Sequence, residues 1–274
     1  MNRLTVQLYR FLGLISEEIW GRLSSSIQLA SSAVIAKLYH TRVSAFFIRP
    51  YCRWQYRDVD YPKRYVPGNG KHRYETFQDF FTRNLPKSPD FNSPEVWPCE
   101  GYLCEMDKVE NISTVKVKGE KRHVRTIFGK GGHKISDESY FSNVFLHNKN
   151  YHHIHSPVDG QITRIEHIPG QLLLLRPWVY KGRPSLPALT NERVNVDIKD
   201  ESGKEWMLSI VGGPLVATIN LIEDLVVGRE VKLGQKLASF ALGSTCCMIS
   251  PNKPNSLVGD SISMGDCLHP NQKQ

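Results

Sequence analysis

Three kinds of segment are missing from this 274-residue chain. Its six cysteines, at positions 52, 99, 104, 246, 247 and 267, include no C-x-x-C pair, which excludes the usual zinc-knuckle and thioredoxin-like spacings. They read as reduced thiols of a cytosolic-type compartment, and no structural metal is expected. The N-terminus lacks the successive basic, apolar and small-residue blocks of a secretory signal, because Glu17 and Glu18 interrupt the apolar run early. It also lacks the roughly 20 apolar residues that would span a bilayer. The longest uncharged stretch in that region, Leu23 to Ala36, is too short and is broken by Ser24, Ser25 and Ser26.

What is present is the composition of a folded protein. Hydrophobic residues make up 40% and charged residues 23%, enough apolar material for a core and too little charge for a disordered chain. The length suits one large domain or two small ones. Thirty-five Lys and Arg against 27 Asp and Glu leave a net charge of +8, which fits either nucleic acid or an anionic membrane surface.

The chain divides into three regions. Residues 1–60 carry apolar side chains at helical spacing, among them Leu8, Phe11, Leu12, Ile15, Ile19, Leu23, Ile27, Val34 and Leu38. Arg22, Lys37, Arg42, Arg49 and Arg53 alternate there with Trp20, Tyr39, Phe46, Phe47 and Trp54, a mixture suited to a membrane interface. A helical subdomain packed on the core is the other reading. Residues 61–98 are a connector rich in Pro and Gly with one short helix, where Thr76 is the N-cap and Asp79 follows three residues later. Residues 99–274 show short β-like runs, such as Val115 to Val117, Gln161 to Ile165, Val194 to Ile198 and Met207 to Val211. The expected fold is α+β: N-terminal amphipathic helices followed by a β-rich, mainly antiparallel catalytic domain. Two segments there, Pro98-Cys99-Glu100-Gly101 and Pro157-Val158-Asp159-Gly160, share a turn chemistry that hints at internal duplication.

The densest chemical signal is Tyr151-His152-His153-Ile154-His155. On a strand His153 and His155 would share a face, and on a helix or tight turn His152 and His155 would. Proton transfer, metal binding and a plain polar loop all remain open on spacing alone. Gly243-Ser244-Thr245 by itself is a common loop, and it is not the G-x-S-x-G elbow of a hydrolase.

In order along the chain stand Phe77, Phe80, Phe81, Arg83 and Leu85; Pro98-Cys99-Glu100-Gly101; Tyr151-His152 through Gly160; Asn191-Glu192-Arg193-Val194; Val211-Gly212-Gly213; and Leu242-Gly243-Ser244-Thr245. In that order and spacing they resemble the phosphatidylserine decarboxylase family of pyruvoyl-dependent, self-processing enzymes. The resemblance implies a carboxy-lyase that cleaves itself between Gly243 and Ser244. Ser244 then becomes a covalent pyruvoyl group, which forms a Schiff base with phosphatidylserine and yields phosphatidylethanolamine and CO2, without a metal. It implies His155 as the base for self-cleavage and His152 as the histidine of the decarboxylation step. Glu100 stands where the family has an orienting Asp, and its extra methylene would displace the carboxylate. Asp107 and Asp159 are other acids that match the pattern less well. Cys246 and Cys247 replace the commoner aliphatic residues and are expected to behave as small buried hydrophobes.

The resemblance also implies phosphatidylserine and an anionic membrane surface as partners rather than nucleic acid, a small C-terminal chain that stays bound, and a homodimer. Peripheral association with the cytoplasmic face of a bacterial inner membrane is expected over a mitochondrial membrane, because residues 1–20 have poor transit-peptide character. The alternatives are a non-catalytic or slowly maturing lipid-binding homologue, suggested by Glu100, and a pyruvoyl decarboxylase for another amine.

Overall fold

The computed structural model describes residues 7, 11, 12, 14–180, 182–213, 219–240 and 244–269. Leu8 of the apolar series, and Leu242 and Gly243 of the L-G-S-T element, lie outside the described residues.

The N-terminal region is helical, as its spacing predicts, but its long helix faces the opposite way from an ordinary packed helix. Helix α1 (Ser25–Tyr39) begins at Ser24, whose hydroxyl accepts a hydrogen bond from the Ile27 amide. The side chains it buries are Gln28 and Ser32, whereas Ile27, Val34 and Leu38 are exposed. An inward Gln is tolerable because it is satisfied: Gln28 Oε1 accepts from the Leu172 amide at 2.7 Å and its Nε2 donates to Trp20 O. Trp20 Nε1 donates to Leu172 O at 2.7 Å beside it. Helix α2 (Ile48–Tyr56) buries Ile48 and Cys52 but leaves Trp54 exposed, as the preceding turn leaves Phe46 and Phe47. Among the described residues no helix is long and apolar enough to cross a membrane.

The connector folds around α3 (Phe77–Phe81). Its capping box is formed: Asp79 N donates to Thr76 Oγ1 at 3.0 Å, and Thr76 N donates to Asp79 Oδ2 at 2.8 Å. Phe77, Phe80 and Phe81 are buried, and Arg83, two residues past the helix, is buried completely.

Among the described residues thirteen strands follow. They are β1 (Gly101–Lys108), β2 (Val115–Val117), β3 (Glu120–Arg122), β4 (Tyr140–Leu146), β5 (His153–His155), β6 (Gly160–Ile168), β7 (Arg193–Asp200), β8 (Glu205–Val211), β9 (Ile219–Leu221), β10 (Glu230–Val231), β11 (Lys236–Phe240), β12 (Ser244–Ser250) and β13 (Ser261–Ile262). A short helix, α4 (Leu186–Thr190), precedes β7. The four β-like runs of the sequence fall in β2, β6, β7 and β8. Eight strands form one antiparallel sheet in the order β10-β6-β7-β8-β12-β4-β1-β13, and β5-β11-β9 form a second.

The large sheet is a duplication. Gly101 opens β1 and Gly160 opens β6, and each strand bulges at the same offset, between Leu103 and Glu105 and between Ile162 and Arg164. Leu103 N donates to Asp260 O and Leu103 O accepts from Gly259 N; Ile162 makes the same pair with Arg229 and Gly228. Both opening glycines are required by close approach, since a Cβ would lie 2.5 Å from Phe145 O at Gly101 and 2.5 Å from Lys199 O at Gly160. The two halves meet where β8 pairs with β12. Alternate residues of β12 enter cores on opposite faces, so Cys246 joins Trp97, Trp206 and Phe240 while Cys247 joins Phe128, Phe141 and Val211. Both cysteines are buried, free thiols.

Candidate active site

Ser244 is the first residue of β12, paired with Leu146 at the end of β4. Its side chain is fully buried, and its Oγ has no hydrogen-bond partner among the described residues. Phe240, at the end of β11, donates its amide to His152 O at 3.2 Å. The two flanks of residues 241–243 are therefore fastened to one turn, 146–152, with Leu146 beside Ser244 and His152 beside Phe240. That shared turn sets His152 beside the end of β11 and Leu146 beside the start of β12.

His152 is completely buried against Phe81, with ring centroids 4.1 Å apart. Its Nδ1 lies 2.8 Å from Asn150 O. A carbonyl only accepts, so Nδ1 carries the proton and Nε2 keeps its lone pair. That Nε2 has no partner among the described residues. Burial, aided by the positive charge of Arg83, pushes the imidazole down to about 3, so it is neutral at physiological pH.

His155 on β5 has the same tautomer. Its Nδ1 donates to Gly234 O at 2.7 Å, and its Nε2 accepts from the Tyr151 hydroxyl at 3.2 Å. Burial pushes it down to about 4. His153 turns its Nε2 to Thr82 O and Arg83 O at 3.2 and 3.1 Å, tying the histidine segment to the end of α3. Of the geometries left open by the sequence, the chain adopts the strand at 153–155, with His152 just before it.

The carboxylate of Glu100 goes to Asn150, accepting from Nδ2 at 2.6 Å, while His155 takes Gly234 and Tyr151. Asn150 in turn fixes the turn through Oδ1, which accepts from the His147 amide at 2.9 Å. The other two acids serve turns: Asp159 accepts from the Leu233 amide, and Asp107 from the Lys108 amide and Asn111. Among the described residues no group of three or more His, Cys, Asp or Glu side chains is placed to hold a metal ion.

Two residues of this cluster carry roles that sequence reasoning did not assign, Asn150 and Arg83. The Arg83 guanidinium donates to Lys149 O and Asn150 O, both at 2.9 Å, and lies 4.8 Å from the Tyr65 ring and 5.1 Å from the Phe80 ring. Arg83 stood in the sequence as part of the F-x-x-F-F-x-R-x-L element, and the signal for its role was an arginine placed just after an aromatic helix, where a charge needs several acceptors to be tolerated.

The cluster falls inside a stretch shared with known proteins. The model of the phosphatidylserine decarboxylase family matches residues 77–269. Similar curated proteins named phosphatidylserine decarboxylase proenzyme include one from Polaromonas sp., 30% identical over 225 residues that cover 71% of this chain and 78% of the relative. One from Dechloromonas aromatica is 28% identical over 224 residues, covering 72% and 78%. One from Legionella pneumophila is 26% identical over 262 residues, covering 86% and 90%. A match that takes in Arg83, Glu100, His152, His155 and Ser244 over more than half of the sequence means that the chain belongs to the phosphatidylserine decarboxylase family, whose members are pyruvoyl-dependent carboxy-lyases.

Proposed function

We propose that this protein is a self-processing phosphatidylserine decarboxylase that converts phosphatidylserine to phosphatidylethanolamine and CO2, with a pyruvoyl group made from Ser244. The observation that carries this reading is a pair of buried atoms without a hydrogen-bond partner among the described residues, Ser244 Oγ on the strand beside Leu146 and His152 Nε2 at the other end of the 146–152 turn. A buried hydroxyl and a buried imidazole nitrogen without partners are costly to a fold and useful to a reaction.

In self-cleavage Ser244 Oγ attacks the Gly243 carbonyl, and the acyl group passes from nitrogen to oxygen to give an ester. Loss of the Ser244 α-proton with departure of the ester carboxylate leaves dehydroalanine, and its hydrolysis releases ammonia and leaves a ketone. A serine hydroxyl needs a base, and His155 Nε2 is the base we assign, with the Tyr151 hydroxyl yielding its place on that nitrogen. Glu100 braces the turn through Asn150. The pyruvoyl ketone, once present, supplies an electron sink for the pair left behind when the substrate carboxylate departs. His152 Nε2 then moves the proton at that step, and its burial keeps water away from it.

The exposed Ile27, Val34, Leu38, Phe46, Phe47 and Trp54, interspersed with Lys37, Arg42, Arg49 and Arg53, support a peripheral seat on an anionic bilayer. The cytoplasmic face of a bacterial membrane is the setting we assign. The test is the mass of the purified protein. Chains of 243 and 274 − 243 = 31 residues are expected, the smaller blocked at its N-terminus, and Ser244→Ala should leave only the full-length chain. Full-length wild-type protein that releases no CO2 from labelled phosphatidylserine would overturn the proposal.

A further inference from the structure

Away from the histidine turn, a cavity of about 610 Å³ opens between the turn that leads into α1, the β2–β3 hairpin, the 170–173 segment and α4. Its lining includes Arg22, Lys116 and Lys118 together with the polar side chains of Ser24, Gln171 and Thr190, and no Asp or Glu. A smaller cavity of about 220 Å³ shares Val117, Lys118, Gln171 and Thr190 with it and adds Arg122. None of the lining residues belongs to the His152–Ser244 cluster.

The hairpin that supplies the cations is an unfavourable arrangement for an empty surface. Lys116 stands directly opposite Lys121 in the two-stranded ribbon, and like charges in that position repel. Lys118 occupies the turn with a left-handed backbone, φ +49°, where Asn or Gly is the ordinary choice. Glu120, the one acid of the hairpin, is engaged by Arg122 at 3.2 Å. Among the described residues neither Lys116 nor Lys118 belongs to an ion pair. The wall on the α1 side is different in character: Leu23 lines the cavity, and Ile19 and Ile27, four residues before and after it in the chain, are exposed apolar side chains.

We propose that this cavity binds a phosphate ester, and that the source is the headgroup of an anionic phospholipid other than the substrate molecule being decarboxylated. The cations and hydroxyl groups would hold the phosphate oxygens, and the Ile19–Leu23–Ile27 surface would take the start of the acyl chains. The site thus would fix the orientation of the enzyme on the bilayer, where the arginines of residues 1–60 outside the cavity supply only attraction.

The test reads binding rather than activity. The full chain is sedimented with phosphatidylcholine vesicles and with phosphatidylcholine vesicles containing phosphatidylglycerol, neither of which holds substrate. The variant Lys116→Gln/Lys118→Gln alters exposed side chains of a surface hairpin, and Lys204→Gln/Lys253→Gln removes the same charge elsewhere. Wild type and the second variant are expected to favour the anionic vesicles several-fold more than the first variant does. Equal losses in both variants would reduce the effect to net charge and overturn the proposal, as would no loss in either. Inorganic phosphate, tested alone by thermal melting, separates the sources. A rise in melting temperature that the cavity variant loses, without any vesicle preference, would assign the site to a soluble phosphate ester and overturn the lipid assignment.

Discussion

Arg83 and His152 meet on one oxygen. The carbonyl of Asn150 accepts from Arg83 Nη2 at 2.9 Å and from His152 Nδ1 at 2.8 Å. The shared acceptor couples an aromatic-caged guanidinium to the tautomer of a buried imidazole. Arg83→Met should cost roughly 2–4 kcal/mol in urea unfolding, because a buried carbonyl and a part-buried one lose a charged donor. Arg83→Lys keeps the charge but not the planar fork. It should fold, process, and decarboxylate about tenfold more slowly, with the loss in kcat rather than KM; wild-type kcat in that variant would refute the coupling.

Glu100 acts on Asn150, so its contribution is expected to lie in an accepted hydrogen bond more than in its charge. Glu100→Gln keeps an acceptor of the same length, and self-processing should stay within a few-fold of wild type. Glu100→Ala leaves the Asn150 amide unmatched and should slow processing by about 10- to 100-fold, as expected when a largely buried donor loses its acceptor. Time courses of precursor disappearance on gels compare the two; equal defects would return the role to the negative charge.

The buried histidines make stability depend on pH. In the unfolded chain each binds a proton near its ordinary value of 6.5, whereas in the fold His152 and His155 stay neutral down to about 3 and about 4. Below pH 6.5 the unfolded chain therefore holds more protons than the folded one. The stability contributed by these neutral rings is fully present above that pH and is lost as pH falls toward 4. At pH 5 the loss amounts to about 2 kcal/mol for each ring. Melting temperatures should be flat above pH 6.5 and fall steadily below it. His153, held well below its usual value by burial, adds to the slope, and His153→Gln should make the fall shallower.

Local chemistry was legible in the sequence where its partners are close in the chain. Thr76 and Asp79 form the capping box that their spacing predicts, and the repeated P-x-acid-G turns do open equivalent strands with the same bulge and the same flanking hydrogen bonds. The inward turn of Gln28 was not legible, because its acceptor and donor include Leu172, which only the fold brings near. The bond between Arg83 and Asn150 was hidden for the same reason: it joins residues 67 positions apart, and neither residue type announces it. Within the candidate site the histidines and Ser244 were named from the sequence, whereas the contact of Glu100 with Asn150 depends on a side-chain length that no spacing encodes.

The outward apolar face of the N-terminal helices gives a further expectation. Phe46 is 81% and Trp54 76% exposed, so replacing them removes almost no packing. Phe46→Ser/Trp54→Ser should leave the melting temperature nearly unchanged and weaken binding to anionic vesicles by tenfold or more. A melting temperature lowered by many degrees would show that these side chains are packed in solution.

The seam between β8 and β12 bears on how the protein ages. β12 is held along its length by β4 on one side and β8 on the other, so a cut before Ser244 severs the chain without opening the sheet. With the proposed cleavage, folding before the cut is a unimolecular event in which the centre of the sheet is delivered by its own chain. Afterwards the same structure could be rebuilt only by the encounter of two molecules. Denaturation of mature enzyme should then be reversible only at high protein concentration, and its lifetime would be set by the rate at which the central strand escapes.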